Sequence, residues 1–294
     1  MSRVEPLGFI PPQLPTLTDQ PPEGEGWIHE VKHDGYRTLL VIERGKARAY
    51  TRQGHDWSER YPGIVEAAAK LRCRTAILDG EVIVQDERGA SDFEALQLAL
   101  RFWPGRLIFY AFDLLHLDGK DLRQRPLLER RTKLKALLGK DLASPLQYSE
   151  EFVGDAGAFF TACAKHELEG IVSKLANSRY RSGRSKAWLK TKCFAEGEFI
   201  LLGIDRDRKT GAPRALLATV ERGNLIYAGA AFIALRAEER EMLSAKIEAL
   251  AQERPSLSWL RNRDARWVRP ELPVRVRHLT GARLLRHATV RSVC

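Results

Sequence analysis

The stretch Trp27-Ile-His-Glu-Val-Lys-His-Asp-Gly-Tyr-Arg37 puts a lysine where folded chains rarely keep one. The apolar residues from Trp27 to Val31 predict a strand, Asp34-Gly35 predicts a hairpin-type turn, and Thr38 to Ile42 predicts the next strand. Lys32 then stands at a strand end, and the turn brings Asp34 and Arg37 close to it. Lysine is depleted from buried strands, and one held among them can lose its proton and act as a nucleophile. An isolated Lys-x-Asp-Gly also fits a hairpin turn with solvated charges, because so short a pattern matches by chance.

Other strands carry polar groups that a core would exclude. Ala76 to Val84 is an apolar run interrupted by Asp79 and Glu81, which are two apart and share one face. Carboxylates there are costly unless paired or placed on a metal or ligand. Leu107 to Leu115 is aromatic-rich; Phe109 or Phe112 can stack on a nucleobase, although filling a core is the commoner use of such rings. Glu167 to Lys174 reads as a strand opened by Glu169 and closed by Lys174. In Trp188 to Lys192, alternation puts Trp188, Lys190 and Lys192 on one face. Two lysines beside a tryptophan suggest an anion there; a basic edge strand is the alternative. Between these strands, Arg52 to Trp57 is a polar, glycine-containing loop, and Asn177 to Lys186 is a basic loop with Arg179, Tyr180, Arg181 and Arg184.

The elements that must hold these residues follow from the remaining pattern. A chain of 294 residues buries a real core and predicts two domains. Hydrophobic content of 44% and charged content of 29% are those of a globular protein. No apolar run is long enough for a membrane helix, and the N-terminus has no secretory pattern. The 4 cysteines are scattered, which argues against a disulfide framework or a zinc site and for a reducing cytoplasm. The net charge of +10 favours polyanionic partners; Arg254 to Cys294 holds ten arginines against Asp264 and Glu271. Residues 1–26 form a proline-rich extended lead-in. Helices are predicted over Ile64 to Leu71, over Ser91 to Arg101 with a Ser91/Glu94 capping box, and after Pro126 to about Leu138 with its basic residues on one side. Beyond Cys193 come short strands, Gly197 to Ile204, Arg214 to Val220, Leu225 to Ala231, Arg266 to Pro270 and Leu272 to Leu279, with a helix over Ala237 to Gln252. That pattern fits a small Greek-key barrel of the OB type.

In chain order, Lys32-His-Asp-Gly-Tyr-Arg37, Asp79-Gly-Glu81, Tyr110-Ala-Phe-Asp113, Glu169-Gly-Ile-Val-Ser-Lys174 and Trp188-Leu-Lys-Thr-Lys192 resemble the motif set of the covalent nucleotidyltransferases: ATP-dependent DNA ligases, RNA ligases and capping enzymes. Arg52-Gln-Gly-His-Asp-Trp57, Leu115-His-Leu-Asp-Gly119, Arg179-Tyr-Arg-Ser-Gly183 and Arg266-Trp-Val-Arg-Pro270 are similar to the ligase domain of bacterial end-joining DNA ligases. The resemblance implies an α+β fold: an adenylation (nucleotidyltransferase) domain of antiparallel sheets with flanking helices over 1–194, then an OB-fold barrel over 195–294. It implies ATP and Mg²⁺ (or Mn²⁺) as cofactors. Lys32 would form a lysyl-AMP, with Lys190 and Lys192 stabilising charge on the α-phosphate. Glu81 and Glu169 would hold the metal or the ribose, Glu30 the adenine amine, and Phe112 would stack on the ring. Arg37 and Lys174 would complete the nucleotide site, and Arg52, Arg181 and Arg184 would contact DNA. The implied partners are nicked or broken duplex DNA and a Ku-like end-binding protein, for a monomer in the bacterial cytoplasm, near the nucleoid and away from membranes. An RNA ligase or capping enzyme, or a non-catalytic nick-binding protein, are the alternatives. The family's arginine-rich tail closes on an Asp-Lys pair; Leu285 to Arg291 looks like its beginning, and the sequence then reads Ser292-Val-Cys294. Slow self-adenylation, or dependence on prior adenylation, is the expectation from that. No counterpart of the polymerase and nuclease domains fused in some relatives is expected.

Overall fold

Alternate side chains of the strand Thr75–Ile83 enter different cores. Ala76, Leu78 and Val82 join a cluster with Leu40, Ile42, Leu96 and Phe109. Ile77 points the other way, into a cluster with Ile28, Leu39, Phe112 and Trp188. A period of two imposes this on any strand buried on both faces. The computed structural model that reveals it describes residues 7–139, 141, 143–262, 264–281 and 284–294. The chain divides into two compact units, Met1–Cys193 and Phe194–Cys294.

The first unit is built on two mainly antiparallel sheets. One runs Lys46–Thr51, Tyr36–Glu43, Thr75–Ile83, Ile108–Leu117, Lys120–Asp121, with Leu146–Tyr148 alongside Ile108–Leu117 in parallel. The other runs Gln13–Thr18, Gly183–Lys192, Gly170–Leu175, Trp27–Val31, Glu151–Phe152, its first pair parallel. The cluster around Ile28, Leu39, Phe112 and Trp188 draws on both sheets, so they face each other across it. Helices Pro62–Ala69 and Phe93–Phe102 cover the far side of the first sheet through Ile64, Ala68, Leu96 and Ala99. Helix Ala156–Lys165 backs the second, packing Cys163 near Ile171 and Cys193.

Local details depart from the sequence expectations for identifiable reasons. The helix expected from Ser91 begins at Phe93, and its cap is Asp92, whose carboxylate accepts from the Ala95 N–H at 2.8 Å. Helix Ala156–Lys165 carries no expectation above, yet it has a start signal: Asp155 accepts from the Ala158 N–H at 2.9 Å. The basic residues of helix Leu127–Leu138 do not share a side. Its buried stripe is Leu127, Arg130, Arg131 and Leu134, while Lys133 and Lys135 are exposed. The spacing is that of an apolar face, and two arginines occupy it because each meets a buried carboxylate. Arg130 takes Asp113 in a fork at 2.7 Å and 2.7 Å, and both side chains are fully buried.

In the second unit, strand Phe194–Arg206 pairs with Pro213–Glu221, which pairs with Asn224–Ile233. Asn224–Ile233 lies parallel to Thr289–Val293, which pairs with Pro273–Leu279, and that strand returns to Phe194–Arg206. The pairings close a five-strand ring around Leu201, Leu217, Val274, Val276 and Val290. Arg266–Val268, expected as a principal strand, is a short side ladder on Phe194–Arg206. The fifth ring strand is Thr289–Val293, within and beyond the stretch read from the sequence as the start of a tail. Helix Ala237–Ala249 seats Leu243 and Ile247 in the same core. No helix among the described residues is long and apolar enough to cross a membrane.

Removing one member of a buried ion pair leaves an uncompensated charge, so Arg130→Met is expected to lower the unfolding free energy by about 3–5 kcal/mol. Urea denaturation checks this, and Asp113→Asn added to Arg130→Met should recover part of the loss.

Candidate active site

Lys32 is the residue after strand Trp27–Val31, and its N–H donates to the Gly170 carbonyl at 2.9 Å. That bond ties the Lys32 turn to the strand that begins just after Glu169. The approach is so close that a side chain at position 170 has no room: a Cβ there would lie 2.1 Å from the Thr191 carbonyl oxygen, and Gly170 has φ +146. Glycine is required at that point. The result is contact between the Lys32 ammonium and the Glu169 carboxylate, whose other oxygen is 3.4 Å from the Lys192 Nζ.

Glu30, Lys32, Arg37, Glu81, Phe112 and Lys174 line one pocket between the two sheets, with His33 and Trp188. Glu169 joins it through Lys32. Register explains the gathering. Val172 stands opposite both Glu30 and Lys190 in the sheet, and Lys174 stands opposite Trp188. On the facing sheet, Arg37 stands opposite Glu81, and Glu81 opposite Tyr110. Of the two phenylalanines weighed from the sequence, Phe112 faces this pocket and Phe109 is wholly buried in the helix-covered core.

Charge in the pocket is arranged around buried carboxylates. Glu30 pairs with the Lys174 Nζ at 2.6 Å and the Arg131 Nη1 at 2.8 Å, and accepts from the Ser149 hydroxyl at 3.0 Å. The Lys174 ammonium also lies 4.1 Å from the Phe112 ring centre and 4.4 Å from that of Trp188. Burial pushes Lys174 down to about 8, against the pull of Glu30. Arg37 forks onto the fully buried Asp79 at 2.6 Å and 2.7 Å and sits 4.4 Å over Phe112. Tyr180 donates to the same Asp79 at 2.6 Å. His33 stacks on Tyr110 at 4.4 Å; burial, then Lys32 and Lys174, push its imidazole down to about 4, so it is neutral. Burial lowers Lys190 and Lys192, and Lys32 adds to both.

Glu81 differs from its neighbours. Its backbone is paired in the sheet, but its carboxylate has no ion pair or hydrogen bond shown among the described residues. Burial raises its carboxyl from the ordinary 4.5 to about 7, with Arg37 and Lys32 only partly offsetting that.

None of the candidate DNA-contacting arginines lines the pocket, although Arg184 reaches its edge at Pro15. Arg52, Arg181 and Arg184 are exposed. The Arg184 guanidinium donates to the Pro15 carbonyl at 3.3 Å, and the Arg181 N–H donates to Gln13 Oε1 at 2.7 Å. Asp79, Tyr180, His33, Ser149 and Arg131 have site contacts that the sequence reading did not assign. For Arg131 a signal existed: an arginine on the apolar stripe of a helix must meet a buried acceptor.

A lysine held by a carboxylate, ringed by further lysines, between two antiparallel sheets with helices on their outer faces, defines a fold of the nucleotidyltransferase type. Residues 17–192 match the family model of the ATP dependent DNA ligase domain. The chain belongs to that family. Over 276 residues it is 38% identical to the multifunctional non-homologous end joining protein LigD of Pseudomonas aeruginosa, covering 90% of this chain and 32% of that protein. A structure of mycobacterial DNA ligase D complexed with ATP and MES superposes with a TM-score of 0.58 at 29% identity, over 96% of this chain and 94% of the other. The ligase domain from M. tuberculosis LigD gives 0.59 at 28% identity, with the same coverage. The chain spans about a third of the length of the LigD proteins it matches.

The Glu81 shift has a sign. Its folded-state value lies above the ordinary one, so its share of stability is full below about 4.5 and is lost as pH rises through about 7. Glu81→Gln is therefore expected to stabilise the free protein above pH 7, on the order of 1–3 kcal/mol, with the gain vanishing below about 4.5. Denaturation midpoints across that pH range check this.

Proposed function

We propose that this chain is the sealing enzyme of a bacterial double-strand-break repair route, joining nicked or broken duplex DNA at the expense of ATP. The observation that carries the reading is the Lys32 ammonium against Glu169, in one pocket with Glu30, Arg37, Glu81, Phe112 and Lys174. In the first step the Lys32 nitrogen, having shed its proton, bonds to the α-phosphorus of ATP. The bond from that phosphorus to the bridging oxygen breaks, and pyrophosphate leaves. A DNA 5′-phosphate oxygen then attacks the same phosphorus and displaces Lys32. Finally the 3′-hydroxyl attacks the 5′-phosphate and AMP leaves.

The residues fit the nucleotide. Trp188 Nε1 is a buried donor without a partner among the described residues, and it borders the pocket. Glu81 is a half-buried carboxylate on the same pocket, with no ion pair or side-chain hydrogen bond shown among the described residues. Orphan polar groups of this kind mark a place where a ligand's own groups belong. Glu30 is the acceptor for the base amine, and Phe112 with Trp188 supplies ring surface. Lys190 and Lys192 project beside Lys32 on the edge where phosphate charge develops. Arg37 has one terminal nitrogen, Nη1, left for a phosphate after its fork on Asp79.

A divalent metal also fits. Among the described residues, no group of three or more His, Cys, Asp or Glu side chains is gathered as a metal cage. Beside Glu30, which Arg131, Lys174 and Ser149 already hold, the carboxylates at hand are Glu81 and Glu169, and Mg²⁺ ordinarily takes one or two carboxylates and completes its shell with water and phosphate. When bound it would neutralise phosphate charge. The unpaired, burial-strained Glu81 is the donor that such an ion would relieve.

The second unit is read as an OB-type barrel that meets DNA. Its support is the closed five-strand ring with an inserted helix, together with exposed Arg254, Arg261, Arg266, Arg269, Arg275 and Arg291. With Arg52, Arg181 and Arg184 these supply phosphate contacts. LigD relatives are named for non-homologous end joining, which supports a Ku-like end-binding partner and a place at the nucleoid for a chain acting as a monomer.

Incubation with α-labelled ATP and Mg²⁺ should give an acid-stable protein–AMP adduct that Lys32→Ala abolishes, while salt-sensitive binding of nicked DNA persists. An adduct that survives Lys32→Ala refutes the assignment of the nucleophile. In single-turnover adenylation, Lys190→Ala and Lys192→Ala should each slow the chemical step by about a hundredfold, with apparent ATP affinity changed by less than about threefold.

A further inference from the structure

Arg131 lies one turn into helix Leu127–Leu138, and its side chain is 1% exposed. Its Nη1 donates to Glu30 Oε1 at 2.8 Å and to the Phe112 carbonyl at 2.9 Å. Its Nη2 donates to the Ser149 carbonyl at 2.6 Å and to the Glu151 carboxylate. Only its Nε–H has no partner among the described residues. One guanidinium thus ties together a strand from each sheet and the chain that follows strand Leu146–Tyr148. The planar fork makes this possible, and lysine could not reproduce it.

The need for a cation is written into the register. Glu30 stands directly opposite Glu151 on adjacent strands. Like charges in that position repel, and Arg131 contacts both. Burial opposes its charge, and Glu30 foremost outweighs burial, so the guanidinium stays firmly protonated. Arg131 donates to Glu30 Oε1, the Lys174 ammonium lies against the same oxygen as an ion pair, and Ser149 occupies one site on Oε2. Each carboxylate oxygen offers about two acceptor sites, so beside the Ser149 hydroxyl one is open on Oε2, on a carboxylate that lines the pocket.

We infer that Arg131 is a positioning residue for base selection: it locks the Glu30 carboxylate so that its one free acceptor meets the amine of a 6-aminopurine and rejects bases without that amine. This rests on reading the pocket as the ATP site. Arg131 itself lies behind Glu30. Its effect passes through Glu30 and through the Phe112 carbonyl, which fixes the backbone of the stacking residue. Loss of Arg131 leaves Glu30 held only by Lys174 and the Ser149 hydroxyl, neither of which fixes it as a two-pronged fork does, and the pocket then loses its preference among purines before it loses its chemistry.

The test compares ATP with purine riboside triphosphate, which lacks the 6-amino group, in single-turnover formation of the labelled lysine adduct. The wild-type chain is expected to bind ATP the tighter by roughly tenfold to a hundredfold, the range of one hydrogen bond to a charged group. Arg131→Met is expected to erase most of that ratio by weakening ATP, with the adenylation rate constant at saturation within about threefold of wild type. Arg131→Lys, which keeps the charge and loses the fork, should do the same, and serves if the Met variant does not fold. In a Glu30→Gln background, Arg131→Lys should change the ratio no further, since the effect passes through Glu30. An undiminished ratio in Arg131→Lys overturns the inference, as does an equal loss of rate constant with both nucleotides. A wild-type chain that forms no adduct with either nucleotide overturns the ligase reading as well, whereas an adduct with unaltered discrimination removes only the role of Arg131.

Discussion

The contact between Lys32 and Glu169 is the constraint around which the first unit is arranged. An amine at a strand end is useful as a nucleophile only if something holds it in place and keeps bulk water from it. Strand Gly170–Leu175 supplies the first, because it pairs with Trp27–Val31 on one side and with Gly183–Lys192 on the other. That pairing sets Glu169 against Lys32 and brings Lys192 within 3.4 Å of the same carboxylate. A glycine at 170 is the condition for the approach, since any Cβ would strike the neighbouring strand.

Two sheets facing one another give each strand a chemical face and a structural face. On Thr75–Ile83 the chemical face carries Ile77, Asp79 and Glu81, and the structural face carries Ala76, Leu78 and Val82. On Trp27–Val31 it carries Ile28 and Glu30. Ile28, Ile77, Leu39 and Phe112 seal the space between the sheets, and the charged residues of the same faces collect where that seal ends. The chemistry therefore sits at the margin of a hydrophobic layer, where charges interact more strongly than in water.

This arrangement explains how much could be read from the sequence. Lys32, Glu81, Glu169, Lys190 and Lys192 are conspicuous because each interrupts a strand-like run, and an interruption in a period-two pattern is visible without coordinates. Arg130 and Arg131 were hidden because a helix rich in arginine and lysine reads as a solvated helix. Only the placement of Leu127 and Leu134 on the same stripe betrays them. Tyr180 was visible as a residue but not as a partner: it sits in a basic loop, and its bond to Asp79 spans 101 positions of chain. In the second unit, the strand Thr289–Val293 escaped because five residues with an exposed arginine carry little periodicity, and its place is decided by the long strands it bridges.

Ion pairs in the pocket differ in what they leave available. Asp79 receives both the Arg37 fork and the Tyr180 hydroxyl, so it acts as an anchor, and Arg37 can offer a ligand only its remaining nitrogen. Glu30 is anchored just as firmly by Arg131, Lys174 and Ser149, yet it keeps one acceptor site. The Glu81 carboxylate has no ion pair or hydrogen bond shown among the described residues and is pushed up to about 7 by its burial. The carboxylates are thus graded from fully committed to fully open, and the cations follow the same gradient: Arg131 and Arg37 are committed, Lys192 is shared, and Lys190 has no ion-pair partner among the described residues. Glu81 lines the pocket and Lys190, outside its lining, is near enough to Lys32 to feel its charge, so on the proposed reading the unmet charge lies where a polyphosphate and its counter-ion would supply it and the met charge where an uncharged ring would lie. On the proposed reading of this pocket as the ATP site, that pattern of charge would set the polyphosphate toward Lys32 and the base toward Glu30.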